Sequence, residues 1–150
     1  MAKIESSVTI ARPVKEVFGF LLALDENLLK TDSGVESVVR TPDGPPGPWT
    51  TFRIRQKTLG RVTESTTRLT AVEPDRRIEW DAKVGPMRPH AAFTFQATNG
   101  GTIVTFRADP NPAGPFKLLS PLFVRIGRRV WNDRLRRIKT AIESSTGTRA

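Results

Sequence analysis

Residues 121–143, PLFVRIGRRVWNDRLRRIKTAIE, form the longest stretch of helical periodicity in the sequence and decide its fold. Ser120 suits the N-cap and Pro121 the first helical position, and no proline follows before about Ser144. A helix of about 24 residues spans roughly 36 Å. Its apolar residues share one arc of the helical wheel: Phe123, Ile126, Val130, Ile138 and Ala141. The stretch therefore predicts a long helix that buries one face.

The residues before this helix mostly alternate between apolar and polar side chains, as β-strands do. Residues 4–10 predict a first strand, Pro13 opens a short helix, and residues 25–30 predict a second one. Six further strands follow, separated by turns such as the stiff loop TPDGPPGP at residues 41–48 and the tight hairpin at 99–101. This order predicts an α+β domain, in which an antiparallel meander is covered by the long helix.

The chain length and composition limit what the protein can do. We expect a single domain over residues 1–150, with its core at about 4–143 and a frayed tail at 145–150. The sequence has one His, no Cys and no Tyr. These counts exclude a disulfide, a thiol nucleophile and most metal sites, so we expect neither a metal nor a cofactor. No apolar run approaches the ~18 residues of a transmembrane helix, and no signal peptide is evident, which favours a cytoplasmic protein.

Most of the positive charge belongs to the end of the chain. The formal net charge is +9, and residues 115–150 carry nine basic and two acidic side chains. Five basic residues lie opposite the apolar arc of the long helix: Arg125, Arg128, Arg129, Arg136 and Lys139. We interpret this surface as a solvated face, because the interleaved aromatic residues of nucleic-acid-binding proteins are missing. We expect no nucleic-acid partner, whereas weak contact with anionic surfaces stays open.

Four stretches together resemble a known superfamily: residues 8–26, VTIARPVKEVFGFLLALDE; residues 67–80, TRLTAVEPDRRIEW; residues 100–109, GGTIVTFRAD; and the long helix. They are similar to the START-like helix-grip (SRPBCC) superfamily, which includes the polyketide cyclase/dehydrase and lipid-transport group. The resemblance implies a curved seven-stranded antiparallel sheet wrapped around the C-terminal helix, with an apolar cavity between them. Many relatives carry a Trp near the position of Leu28 to Lys30 and this chain does not, so its cavity mouth is expected to differ.

The inward-facing side chains of such a cavity are the candidate ligand-binding residues. Strand alternation and the helical wheel give the following set: Phe52, Ile54, Gln56, Ser65, Thr67, Leu69, Trp80, Phe93, Phe95, Val104, Phe106, Val130, Trp131 and Arg134. A bulge would reverse the parity of Ser65, Thr67 and Leu69. The alternative is that the aromatic residues simply fill a core.

Three residues deserve separate hypotheses. Arg134 falls within the apolar arc, so it either binds the carboxylate, phosphate or phenolate of a ligand, forms an internal ion pair, or extends its head group to solvent. Gly127 also faces inward, where it either lets the helix approach the sheet or widens the cavity. His90 has the opposite parity to Phe93 and is expected on the outer face, which weighs against a role as general base.

Three functions are compatible with these observations. The first is a binding protein for a hydrophobic or aromatic small molecule, lipid-like or polyketide-like. The second is an enzyme of the polyketide aromatase/cyclase kind, against which the missing Tyr and the outward His90 weigh. The third is an interaction protein that uses the Arg-rich helix. The charged outer face of that helix predicts a monomer or a weak homodimer.

Overall fold

The computed structural model describes residues 3–22, 35–41, 44, 46–58, 60–85 and 87–145. The predicted second helix at 25–30, the Leu28–Lys30 position and the tail beyond residue 145 lie outside these residues, as do three positions of the 41–48 loop. The elements are β1 Ile4–Ile10, α1 Val14–Leu22, β2 Val35–Thr41, β3 Thr51–Thr58, β4 Arg61–Glu73, β5 Arg77–Lys83, β6 His90–Thr98, β7 Gly101–Asp109, the 3-10 helix Gly114–Leu119 and α2 Ser120–Ser145.

The strands form one antiparallel sheet in the order β1-β7-β6-β5-β4-β3-β2. Strands β2 to β7 are a meander of neighbours in sequence, and β1 joins the edge by pairing with β7. The predicted α+β helix-grip fold is therefore confirmed: a seven-stranded antiparallel sheet with a long C-terminal helix. A bulge between Leu69 and Ala71 interrupts the pairing of β4 with β5 and bends the sheet locally.

Gly101, at the start of β7, lies very close to the backbone at the end of β1. A Cβ on Gly101 would lie 2.6 Å from the carbonyl oxygen of Ile10, at the end of β1. Only a residue without a side chain fits against that backbone. The preceding Gly100 has φ 102°, a left-handed conformation that lets β6 turn directly into β7.

The core lies where both helices meet the sheet. Helix α2 packs mainly against β1. Leu135, Ile138 and Ile142 of α2 are at most 1% exposed. Of these three, only Ile138 belongs to the predicted apolar arc. Two other residues of that arc, Ile126 and Val130, are 51% and 44% exposed, because the wheel gives the direction of a side chain but not what packs against it.

The start of α2 differs from its prediction. Ser120 has helical backbone angles, φ −49° and ψ −45°, and its hydroxyl donates to the carbonyl oxygen of Lys117 at 2.8 Å. The predicted N-cap role is therefore wrong. The 3-10 helix leads directly into α2, so Ser120 already lies inside a helical turn and satisfies a carbonyl of the preceding turn instead.

The other end of α2 is fastened to the end of β1. The Glu143 carboxylate accepts hydrogen bonds from the Ala11 amide at 2.8 Å and from Lys139 Nζ at 2.7 Å. Lys139 also donates to the Thr9 carbonyl at 2.8 Å, while its side chain stays 38% exposed. These bonds, the Ala11 amide first, lower the pKa of Glu143 below its ordinary value.

Candidate functional site

A two-lobed cavity lies between the sheet and α2. The larger lobe has a volume of about 330 Å³ and the smaller one about 110 Å³. The two lobes share five of their lining residues: Ile54, Thr67, Trp80, Trp131 and Arg134. Because they share these residues, the two lobes lie next to each other and form one candidate site. Its larger lobe falls within the ~300–1,000 Å³ that is typical of small-molecule pockets.

The sheet wall follows from the register of β3 and β4. Ile54 pairs with Ser65 and Phe52 with Thr67, so these four side chains point to the same face of the sheet. The bulge in β4 comes only after Leu69, and the predicted inward parity of Ser65, Thr67 and Leu69 is therefore preserved. Phe52 and Leu69 line the smaller lobe, while Gln56 and Ser65 line the larger one.

Aromatic rings form the floor beneath α2. Trp131 stacks on Phe106 with ring centroids 3.9 Å apart and an angle of 16° between the planes. Trp80 lies 6.4 Å from Trp131 and 4.9 Å from Phe93. Trp80 comes from the sheet and Trp131 from the helix, and both rings line the two lobes, where they can contact a bound molecule.

Two predicted residues lie outside the cavity. Phe95 packs edge-on against Phe18 of α1, with ring centroids 5.3 Å apart, and does not line either lobe. It faces inward as predicted, but at the part of the sheet that α1 covers. Val104 is fully buried in the core next to it. Parity places a side chain on a face of the sheet, and only the packing of α1 shows which part of that face remains open.

The cavity is apolar apart from a few polar side chains. Within the described residues that line it, these are Gln56, Ser65, Thr67 and Arg134. Three of them come from the neighbouring strands β3 and β4, and the fourth comes from α2. A ligand between them would meet hydrogen-bonding groups from two sides and apolar surface elsewhere, the arrangement that orients small molecules in pockets.

Arg134 occupies the junction of the two lobes, half-buried. Its guanidinium carbon lies 4.8 Å from the ring centroid of Trp131, a cation–π contact within the helix. The adjacent carboxylate, Asp133, contacts Arg137 at 2.9 Å and Arg136 at 3.6 Å. Because a guanidinium has five N–H donors, Arg134 can accommodate a ligand oxygen along with its contacts in the protein.

The mouth of the larger lobe runs along the first half of α2. Ile126 and Val130 line the lobe and are about half exposed, which explains why they are not core residues. Gly127 faces Ile4, and a Cβ at this position would overlap the Cδ1 atom of Ile4. Of the two roles proposed for Gly127, the structure shows the close approach: β1 packs against the helix where the glycine lacks a side chain.

More than half of the lining residues were not among the predicted ligand-binding residues, and four of them illustrate why. Leu21 and Leu22 of α1 border the smaller lobe, and Met87 and Phe123 border the larger one. Phe123 was recognised as part of the apolar arc of the helix. Met87 lies in a loop after β5, and no periodic pattern in the sequence indicates that this loop folds over the cavity.

The single histidine lies on the outer face of the sheet, as its parity predicted. His90 contacts Asp81 and lies 3.6 Å from Glu79, and its side chain is 57% exposed. Neither lobe contains it. In the part of the chain that the structure describes, no cluster of three acidic or His residues is arranged to hold a metal ion. No helix among the described residues is long and apolar enough to cross a membrane.

Comparison with known proteins supports the same architecture. The model of the polyketide cyclase/dehydrase and lipid transport family matches residues 1–143. The structure is similar to a START superfamily protein from Mycobacterium smegmatis, with TM-score 0.79 and 12% identity over 97% of this chain and 100% of that one. It is also similar to Ara h 8.0201, with TM-score 0.77 and 15% identity over 95% and 97% of the two chains.

A third similar structure is the di-domain ARO/CYC StfQ from the steffimycin biosynthetic pathway, with TM-score 0.80 and 15% identity. The match covers 98% of this chain but only 52% of that one, so the chain corresponds to about half of the di-domain protein. No curated protein matches the chain in sequence. At identities this low, the structural similarities establish the fold and leave the ligand to the residues of the site.

Proposed function

Because the chain belongs to the polyketide cyclase/dehydrase and lipid transport family, we propose that it binds a hydrophobic or aromatic small molecule between its sheet and α2. The observation that carries the proposal is the two-lobed cavity, both lobes of which are lined by Trp80 from the sheet and Trp131 from the helix. A flat aromatic or polyene ligand in either lobe would contact these rings and gain aromatic packing as well as burial.

In this proposal, the polar residues of the cavity orient the ligand. Thr67 and Arg134 border both lobes, so a ligand that extends across the junction meets both of them. A carboxylate, phosphate or phenolate at the junction would form a charge-assisted hydrogen bond with the guanidinium, stronger than a neutral one. The ligand therefore combines an extended apolar body with one acidic group near its middle or end.

A fluorescence titration tests the proposal. The chain has three tryptophans, and Trp49 is 67% exposed and outside the cavity, so Trp49→Phe leaves emission from Trp80 and Trp131 alone. Fatty acids, isoprenoids, sterols and polyphenols are screened against this variant. We expect at least one class to quench the emission saturably and to raise the melting temperature.

A matched pair of substitutions locates the binding. Thr67→Phe fills the junction of the lobes, whereas Thr66→Phe adds the same ring on the exposed outer face of β4. We expect Thr67→Phe to weaken binding at least tenfold and Thr66→Phe to leave it unchanged. Equal effects of the two substitutions, or no saturable ligand in any class, would contradict the proposal.

The second candidate function is catalysis of the aromatase/cyclase kind. It is favoured by the hydroxyl groups of Ser65 and Thr67 near Arg134, since a guanidinium and hydroxyls can stabilise a developing enolate. It lacks an evident base, because His90 faces outward and the sequence has no Tyr. Turnover of a poly-β-keto surrogate that Thr67→Phe abolishes and Thr66→Phe preserves would establish it.

A further inference from the structure

An exposed apolar ridge borders the mouth of the larger lobe. It consists of residues from the 3-10 helix and the first turns of α2: Phe116, Leu118, Leu119, Leu122, Ile126 and Val130. Leu118 is 87% exposed, and the other five are between 41% and 51% exposed. Scattered exposed apolar residues are normal, but six within residues 116–130, with Leu122, Ile126 and Val130 at four-residue helical spacing, are typical of an interaction surface.

Basic residues accompany the ridge without any acidic ones in the same stretch. Between Asp109 and Asp133 the sequence contains Lys117, Arg125, Arg128 and Arg129 and no Asp or Glu. Arg125 follows Leu122 by three positions, and Arg129 follows Ile126 by three, so each basic side chain neighbours the ridge on the helix surface. Apolar residues next to a row of Lys and Arg are typical of helices that lie on membrane surfaces.

We propose that the apolar ridge docks the protein onto an anionic phospholipid bilayer. The leucines enter the boundary between headgroups and acyl chains, while the flanking Arg and Lys side chains contact lipid phosphates and carboxylates. Ile126 and Val130 belong to both the ridge and the lining of the larger lobe. The docked protein therefore presents the mouth of its cavity to the acyl chains.

A bilayer fits this surface better than a second copy of the chain. In a two-fold symmetric dimer the same patch faces itself, so Arg125 and Arg129 of one copy would approach those of the other. Leu118 projects from the surface and is 87% exposed. An anionic bilayer complements the positive charge beside the ridge, and its acyl region can also accommodate the protruding apolar side chains.

Vesicle flotation tests the proposal with the full chain. Vesicles of phosphatidylcholine alone are compared with an equimolar mixture of phosphatidylcholine and phosphatidylserine at physiological salt. We expect binding to the mixed vesicles and little to the neutral ones. Arg125→Gln with Arg129→Gln should lower the partition coefficient roughly thirtyfold, since each charge near an anionic surface contributes ~1 kcal/mol.

Leucine-to-serine variants test the apolar part of the ridge. Leu118→Ser with Leu122→Ser should reduce binding to the mixed vesicles at least tenfold, because two leucine side chains no longer enter the bilayer. Leu118→Ser alone, at the most exposed position, should already reduce binding several-fold without any effect on the melting temperature. Val39→Ser with Val62→Ser is the matched control, since both valines are exposed on β2 and β4 and neither lines the larger lobe.

A second control distinguishes the effect of charge at the ridge from the effect of the protein's net charge. Arg53→Gln with Arg55→Gln removes two exposed charges from β3 and should lower binding less than threefold. Equal losses from both arginine pairs, no flotation with mixed vesicles, or binding that ignores the leucine variants would overturn the proposal. Concentration-dependent self-association that Leu118→Ser abolishes, without flotation, would assign the ridge to a second copy instead. None of these outcomes depends on whether the cavity holds a ligand.

Discussion

Replacing Arg134 with leucine removes the positive charge at the cavity junction but keeps much of the volume of the side chain. Arg134 borders both lobes and stacks on Trp131 at 4.8 Å. Leucine keeps an apolar stem of similar width there but cannot donate a hydrogen bond. An anionic ligand would lose its charge-assisted partner, whereas a neutral ligand of the same shape would lose only part of its packing.

The size of the effect follows from the position of the guanidinium. Hydrogen bonds to charged groups contribute about 1.5–3 kcal/mol, which corresponds to roughly 10–150-fold in affinity. Arg134 is only half-buried, so solvent weakens the interaction and we expect the lower end, about tenfold. A neutral ligand should be weakened less than threefold, because the cation–π contact with Trp131 belongs to the protein rather than to the ligand.

Two naphthalene dyes provide the assay. Anilinonaphthalene sulfonate is anionic, N-phenylnaphthylamine is neutral, and both fluoresce more strongly in apolar sites. The control is Arg137→Leu, one turn further along α2, where the guanidinium pairs with Asp133 on an exposed surface. If Arg134→Leu weakens both dyes equally, or if Arg137→Leu selects against the anion as strongly, then Arg134 does not recognise the acidic group.

Three further predictions concern the fold around the site. Gly101→Ala should lower the free energy of unfolding, measured by urea denaturation, by about 2 kcal/mol or more, because its Cβ would meet the Ile10 carbonyl at 2.6 Å. Gly19→Ala is the control and should be neutral or stabilising, because its Cβ would meet nothing within 4 Å. Glu143→Gln should cost about 1 kcal/mol near pH 7. Since the pKa of Glu143 is lowered in the folded state, this cost should shrink as pH falls below the ordinary value of 4.5, and a cost that is constant with pH would contradict the assignment. Phe106→Ala should cost roughly 3–5 kcal/mol by calorimetry, because Phe106 is 1% exposed and stacks on Trp131; a loss below 1 kcal/mol would show that the ring is not core.

The sheet could be predicted from the sequence because its strands have two different faces. In β5 the apolar Ile78 and Trp80 alternate with Glu79 and Asp81, and in β6 the same period continues. Period-two alternation specifies a face, and the short turns between strands specify antiparallel neighbours. Most of the candidate ligand-binding residues were found by the same reasoning, since the cavity lies on the concave face.

The remaining errors come from distances that no periodic pattern contains. Ile126 and Val130 are half exposed, because they line the larger lobe at its mouth instead of packing against other side chains. Phe95 faces inward like Phe93 but is covered by α1. Each depends on where neighbouring elements lie in space.

A crystal structure of the protein with N-phenylnaphthylamine would show where a hydrophobic ligand binds. We expect dye density inside the two-lobed cavity, in contact with Trp80, Trp131 and Thr67 and with Arg134 at the junction. Dye bound only outside the cavity, or a collapsed cavity with Trp131 closed against the sheet, would contradict this expectation.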